Sequence, residues 1–363
     1  MKMAAKLVIR AGRTALAHIR KNGLEPGDIT AVIGASGAAK WLSIYGLDRA
    51  VFSRWLARTD REIFLFGTSI GAWKLAAAAQ NNPGRAFDRL KAAYIRQKYD
   101  GRVTPDQIIH ESLKIFDRFL DPQSIREILS HPRFRLGFSA VRCRGPMALE
   151  NRLALVGGLG VAFVLNLVSR KTQSLFFRRT LFHCPAGKAW PLDLGEFPAD
   201  PVPLTPGNFK PALLASGSIP VIMNGVRDIP GTPGGMYRDG GILDYHPAVA
   251  MARDRNGFIL YPHFYPDITP GWFDKHLNGR RAAGPLLDRV VLVSPSKAFV
   301  AGLPFGRIPD RKDFKRFHNR DQLRFNTWET VARASLDLGE EFLETVTSGK
   351  IREAVSPFGG LSR

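Results

Sequence analysis

Short unbroken apolar runs alternate with longer stretches of helical spacing along this chain. Residues 30–33, 63–66, 257–263 and 289–293 have the length and β-branched or aromatic content of buried strands. Residues 85–98 and 105–120 instead spread their apolar positions at helical intervals. Between 313 and 346 the same spacing runs through Phe314, Phe317, Leu323, Trp328, Val331, Leu338 and Phe342, with Gly349 just beyond its end. Residues 3–19 read as a basic amphipathic helix ahead of the first strand, and the Pro-rich stretch 191–211 reads as a surface excursion. Strands interleaved with helices predict an α/β core.

One strand-to-helix junction carries candidate chemistry. The run 63–66 enters Gly67-Thr68-Ser69-Ile70-Gly71, and Ala72 to Ala79 continue as a helix. A serine on a sharp strand-to-helix turn, flanked by Gly67 and Gly71, presents its hydroxyl at the edge of a sheet. The helix behind it points unpaired N–H groups, Ile70 first, to where an oxyanion would form. A plain glycine-rich turn is the alternative. Further on, Asp239-Gly240-Gly241 holds a carboxylate on a tight loop with little bulk around it, suited to a general base that must reach a serine; a Gly-Gly turn with a local Asp hydrogen bond is the other reading.

Together with Ala215-Ser216-Gly217-Ser218-Ile219-Pro220, these segments resemble the patatin-like acyl hydrolases. That family uses a Ser–Asp dyad with Ser in Gly-x-Ser-x-Gly and Asp in Asp-Gly-Gly, preceded by Ala-Ser-x-Ala-x-Pro, where this chain has Ser218 for the usual alanine. Its oxyanion loop, Gly-Gly-Gly-x-Arg/Lys-Gly, matches Gly34-Ala35-Ser36-Gly37-Ala38-Ala39-Lys40 only loosely, with two glycines and one extra residue before Lys40. Neither dinucleotide nor Walker phosphate-loop spacing occurs there. The resemblance covers about residues 30–300. It implies a three-layer α/β fold with a central, mostly parallel sheet flanked by helices, a catalytic dyad of Ser69 and Asp239, and an oxyanion hole drawn from Ser36, Gly37, Ala38 and Ile70. It implies lipid ester hydrolysis with no cofactor and no metal. Residues 1–29 then form an N-terminal helix and 301–363 a helical extension packed on the core. His246 follows Asp239 closely, so a Ser–Asp–His relay is the rival to the dyad, though a short Gly-Gly loop leaves little room for it.

Composition narrows the partners. Among 363 residues, 52 Lys and Arg against 32 Asp and Glu leave a net charge of +20, which attracts polyanions. Basic residues cluster at Arg142 and Arg144, Arg170 and Lys171, Arg178 and Arg179, Arg280 and Arg281, and in the run Arg307, Arg311, Lys312, Lys315, Arg316, Arg320 and Arg324. No nucleic-acid module accompanies them, so an anionic membrane surface and a lipid ester are the expected partners, not nucleic acid. A catalytically weak lipid-binding protein and a nucleic-acid-binding protein are the rival classes. Two cysteines, Cys143 and Cys184, without metal-ligand spacing fit a reducing cytoplasm, and charges interrupt any secretory apolar core near the start. The Arg-rich, acid-poor start leaves organelle import open. Residues 153–168 form an apolar run too short for the roughly 20 residues that cross a bilayer. It reads first as a buried core helix, with an interfacial segment at the mouth of the site as the alternative.

Overall fold

A computed structural model describes residues 5–99, 101, 103–185, 190–252 and 256–359. In chain order the strands are β1 (Leu7–Ala11), β2 (Ile29–Gly34), β3 (Ile63–Thr68), β4 (Phe134–Cys143), β5 (Phe177–His183), β6 (Leu192–Asp193), β7 (Ala199–Pro203), β8 (Val226–Arg227), β9 (Met236–Asp239), β10 (Ala250–Met251), β11 (Phe258–Pro262), β12 (Val290–Pro295) and β13 (Val355–Pro357). Among the described residues eleven of them make one sheet in the order β13-β1-β12-β11-β2-β3-β4-β5-β7, with β9 on β4 and β8 on β9. Pairing from β12 through β11, β2 and β3 to β4 is parallel, whereas β4–β5 and β4–β9 are antiparallel.

Every residue of β2, β3, β11 and β12 is buried. Helices cover both faces of a parallel sheet, so its strands carry unbroken apolar runs and no alternation. That is why these four were legible, each within two residues of its expected bounds. The fold is thus mixed α/β, with a large, mostly parallel central sheet flanked by helices. The expected helices over 85–98 and 105–120 occur as Pro83–Ile95 and Pro105–Phe119. Each starts at a proline behind a side-chain cap, Asn82 or Thr104, that accepts a bond from a first-turn N–H.

Four expectations need correction. The segment 3–19, of which residues 3 and 4 lie outside the described residues, is not one helix: β1 is followed by a helix over Arg13–Asn22. Leu7, Ile9 and Ala11 alternate with less buried residues, the period-2 signature of a strand, and β1 pairs with β12 and β13. The cations that suggested a helix face carboxylates instead, Lys6 with Asp337 at 2.7 Å and Arg10 with Asp267 at 2.9 Å. Both ends of the chain therefore contribute a strand to the central sheet. The stretch 313–346 divides into Asp313–Arg316, Asp321–Ala334 and Leu336–Thr347, broken at Asn319 with φ 58°. Leu323 in this stretch is exposed.

The stretch 191–211 is more than an excursion, because it supplies β7, an edge strand on β5. Pro201 and Pro203 are tolerated there because an edge strand leaves one row of amides unpaired. The apolar run forms the helix Arg152–Val168, but it is not a core helix. Leu155, Gly158, Ala162 and Asn166 face the body at helical spacing, and Asn166 donates to Asp274 at 2.9 Å. The opposite side is open, with Leu153 84%, Val164 58% and Val168 80% exposed, and Val156, Val161 and Leu167 exposed as well. Apolar composition does not by itself mean burial: here apolar residues occupy both sides of the helix and only one is covered.

Candidate active site

The register along β4 explains how Ser69 and Asp239 meet. β3 runs parallel to β4 and its last residue, Thr68, lies opposite Ser139. β9 runs antiparallel and its last residue, Asp239, lies opposite Ala140, the next position. The two strands thus end facing each other, and the residue after β3 meets the residue closing β9. Ser69 Oγ donates to Asp239 Oδ2 at 3.0 Å.

Ser69 occupies the turn itself, with φ 52° and ψ −130°. A positive φ on a non-glycine residue costs energy and persists only where the surroundings enforce it, as at a nucleophile elbow. Here its N–H donates to Ser216 Oγ at 3.0 Å, and Ser216 Oγ donates to the Ser139 carbonyl at 2.8 Å, tying the turn to β4. Backbone contact explains Gly71, where a Cβ would stand 2.2 Å from the Gly34 carbonyl oxygen. At Gly241 a Cβ would meet Ser36 Oγ at 2.5 Å and Asp239 Oδ1 at 2.9 Å.

Asp239 is buried, and desolvation raises its pKa to about 6 against opposing bonds from the Gly241 amide and Ser69. Its Oδ1 accepts the Gly241 N–H at 2.6 Å, which orients Oδ2 to Ser69. His246 makes no link to either residue: its Nδ1 accepts from the Thr269 N–H at 3.0 Å. Its ring is buried between Tyr245 and His263 at centroid distances of 4.3 Å, and burial drives its pKa well below the ordinary value. The arrangement is a dyad, not a relay through His246. His183 Nδ1 donates to the Cys184 carbonyl at 3.0 Å, and both cysteines are free and buried.

The oxyanion expectation needs one correction. The Ser36 N–H already bonds the Tyr245 carbonyl at 2.8 Å, and its hydroxyl bonds Thr68 Oγ1 at 2.8 Å, so Ser36 braces the loop and offers no amide to an oxyanion. The N–H groups of Gly37, Ala38 and Ile70 have no acceptor among the described residues, and Gly37, Ala38 and Ser69 line one cavity. Ala38, with φ 49°, turns the loop at this point. In the third matched segment, Ser218 donates to the Leu214 carbonyl at 2.9 Å while its own carbonyl accepts the Asp239 N–H at 3.0 Å. Ile219 and Pro220 form part of the cavity wall.

Leu159 reaches the cavity from the apolar run 153–168, whose alternative reading is a segment at the mouth of the site, whereas Tyr245, Trp272 and Lys275 were not singled out from sequence. No local pattern marks them, since they reach the cavity from separate parts of the chain. The basic clusters carry less free charge than their sequence implies. Arg179 is buried in a bidentate pair with Asp244, Arg170 pairs with Asp274, and Arg178 with Asp200. In the run from Arg307 to Arg324, Arg307 and Arg316 pair with Asp313, and Arg324 is buried against Trp328. Arg311, Lys312, Lys315 and Arg320 remain exposed without a carboxylate partner among the described residues. Those residues contain no group of three or more His, Cys, Asp or Glu placed to hold a metal ion. In comparisons with known proteins, no protein-family model and no curated protein matches this chain.

Proposed function

We propose that this protein is a patatin-like serine acyl hydrolase that cleaves fatty-acyl esters of lipids at a membrane surface. The observation that carries the reading is the 3.0 Å bond from Ser69 Oγ to a buried Asp239 carboxylate on a strained turn beside a cavity. Asp239 Oδ2 takes the proton as Ser69 Oγ adds to the ester carbonyl. The oxyanion is received by the free amides of Gly37 and Ala38 and by Ile70 at the N-terminus of the helix Ile70–Ala78. Collapse expels the alcohol, which takes that proton from Asp239. Asp239 then accepts a proton from water as the water attacks the acyl-serine, and returns it to Ser69 on release of the fatty acid.

The helix Arg152–Val168 supports a lipid surface as the partner. It presents exposed apolar residues in one patch, carries exposed Arg152 and Lys171 at or near its two ends, and sends Leu159 into the cavity wall. An apolar face with basic flanks lies in the headgroup region of an anionic bilayer. No helix of the described residues is long and apolar enough to cross a membrane, which fits a peripheral mode of binding.

Fluorophosphonate labelling with peptide mapping tests the assignment. Label on Ser69, together with turnover of p-nitrophenyl butyrate, is expected. Label on another serine overturns Ser69 as the nucleophile, and no label on folded protein overturns the hydrolase and leaves lipid binding without catalysis as the better reading.

A further inference from the structure

Four cationic side chains, Lys40, Lys275, Arg311 and Lys312, line the cavity that holds Ser69 and Asp239. They arrive from three places: the 3-10 helix Ala38–Ile44 that follows β2, the segment after the short turn Trp272–Asp274, and the loop ahead of Asp313–Arg316. None forms an ion pair with a carboxylate of the described residues. Two carboxylates share the wall, and both are engaged. Asp239 holds Ser69 and the Gly241 amide. Asp310 holds Arg316 at 3.0 Å and accepts the Lys312 N–H at 2.8 Å.

Lys275 shows the imbalance best. Its ammonium lies 4.0 Å from the Tyr245 ring centroid and 5.0 Å from that of Trp272, so its neighbours are ring faces. Such contacts compensate a cation only in part. Burial, then the charges of Lys40 and Arg311, push its pKa down to about 7. Lys40 is likewise lowered, chiefly by burial and against the opposing charge of Asp310; its Nζ donates to the Tyr245 hydroxyl at 3.5 Å and lies 5.8 Å from the Phe264 ring centroid. Four converging cations that outnumber two carboxylates already engaged elsewhere are set to receive an anion, and a tetrahedral phosphate with several acceptor oxygens can serve donors from three directions at once.

Resting on the hydrolase reading, we infer that Lys40, Lys275, Arg311 and Lys312 form a phosphate subsite beside the dyad, so that the substrate is an acyl ester carrying a phosphate group. Anionic glycerophospholipids and their lyso forms fit this description, with the phosphate held while the acyl carbonyl lies at Ser69.

Attraction of the whole protein to a charged membrane would produce a similar preference, so the test uses monomeric substrates without vesicles. For the intact protein at pH 6.5 and fixed ionic strength, kcat/KM is compared between dibutyroylglycerol 3-phosphate and dibutyroylglycerol, and sn-glycerol 3-phosphate binding is measured by calorimetry. The phosphate ester should be favoured at least about tenfold, mainly through KM, as expected for charge-assisted hydrogen bonds. Both Lys275→Gln and the exposed-loop variant Arg311→Gln/Lys312→Gln should reduce that ratio and weaken glycerol 3-phosphate binding. Because both esters use one dyad, the ratio is independent of how either change affects the chemistry. Equal rates on the two esters, or a ratio that neither variant moves, overturns the subsite while the hydrolase stands. Absence of turnover with glycerol 3-phosphate still bound, and lost in the variants, overturns the hydrolase and retains the phosphate site.

Discussion

Thr68 and Asp239 occupy consecutive positions along one edge of β4, opposite Ser139 and Ala140, although they approach from opposite directions. Two strands that end facing each other place the residue after one beside the last residue of the other, which is how Ser69 and Asp239 come to share a hydrogen bond. The positions of the two residues are therefore fixed by the backbone ladder.

Ser69→Ala should abolish labelling and ester turnover with little change in Tm, since only a hydroxyl is removed. Asp239→Asn should lose on the order of a hundredfold or more in rate, because the general base is gone. His246→Ala should keep its activity within about tenfold, as its ring makes no bond to either dyad residue. Equal, severe losses in Asp239→Asn and His246→Ala, measured on protein shown to be folded, would restore the relay.

With the pKa of Asp239 raised to about 6, kcat/KM on a neutral ester should climb as pH rises through 6 and then level off. Lys275, lowered to about 7, faces Lys40, Arg311, Asp239 and the Tyr245 ring. On a phosphate-bearing ester its loss of charge should bring the rate down again above about pH 7, giving a bell that the neutral ester lacks. Identical profiles for the two esters would count against Lys275 as a phosphate ligand.

The same carboxylate carries a stability consequence. Between the unfolded carboxylate value near 3.9 and the folded value of about 6 the native state binds the extra proton, so stability falls as pH rises through this window. Asp239→Asn should therefore be more stable than the parent at pH 7.5, by on the order of 1–3 kcal/mol, with the gain vanishing by pH 4. Denaturant melts at the two pH values check this. A variant less stable than the parent at pH 7.5 would mean that the lost bonds to Gly241 and Ser69 outweigh desolvation.

Val164→Asp and Val168→Asp sit on the open side of the apolar helix, so their melting temperatures should match the parent. Co-sedimentation with phosphatidylserine vesicles should fall sharply, and raising salt should weaken what remains, because screening limits the cationic contribution to about 8 Å at physiological ionic strength. Undiminished vesicle binding would move the contact to the exposed cations Arg311, Lys312, Lys315 and Arg320.

Gly71→Ala should cost about 1–3 kcal/mol or more, since its Cβ would press on the Gly34 carbonyl, backbone against backbone, where neither side can swing away. Gly157→Ala, on the apolar helix with nothing within 4 Å, should instead be neutral or slightly stabilising. Paired urea titrations separate the two.

What the sequence determined by itself is local. The strand at Ile63–Thr68, the turn at Ser69 and the helix from Ile70 are encoded by neighbours in the chain: an apolar run, two glycines and a run of alanines. The buried parallel strands were equally legible, because burial on both faces leaves no alternation to misread. Tertiary structure decided everything that depends on who covers whom. The helix Arg152–Val168 has the composition of a core helix, and only the fold shows that one side has no partner. The Ser36 amide passes for an oxyanion donor until the Tyr245 carbonyl, 209 residues on (245 − 36), is seen to hold it. Lys275 carries no motif, and only the fold shows that, among the described residues, six of the fifteen cations in the basic clusters, Arg170, Arg178, Arg179, Arg307, Arg316 and Arg324, are paired with carboxylates. Periodicity reports which residues are apolar and how they are spaced. Partners from distant segments, brought together only by the sheet, decide which of them are buried and which charges remain unpaired.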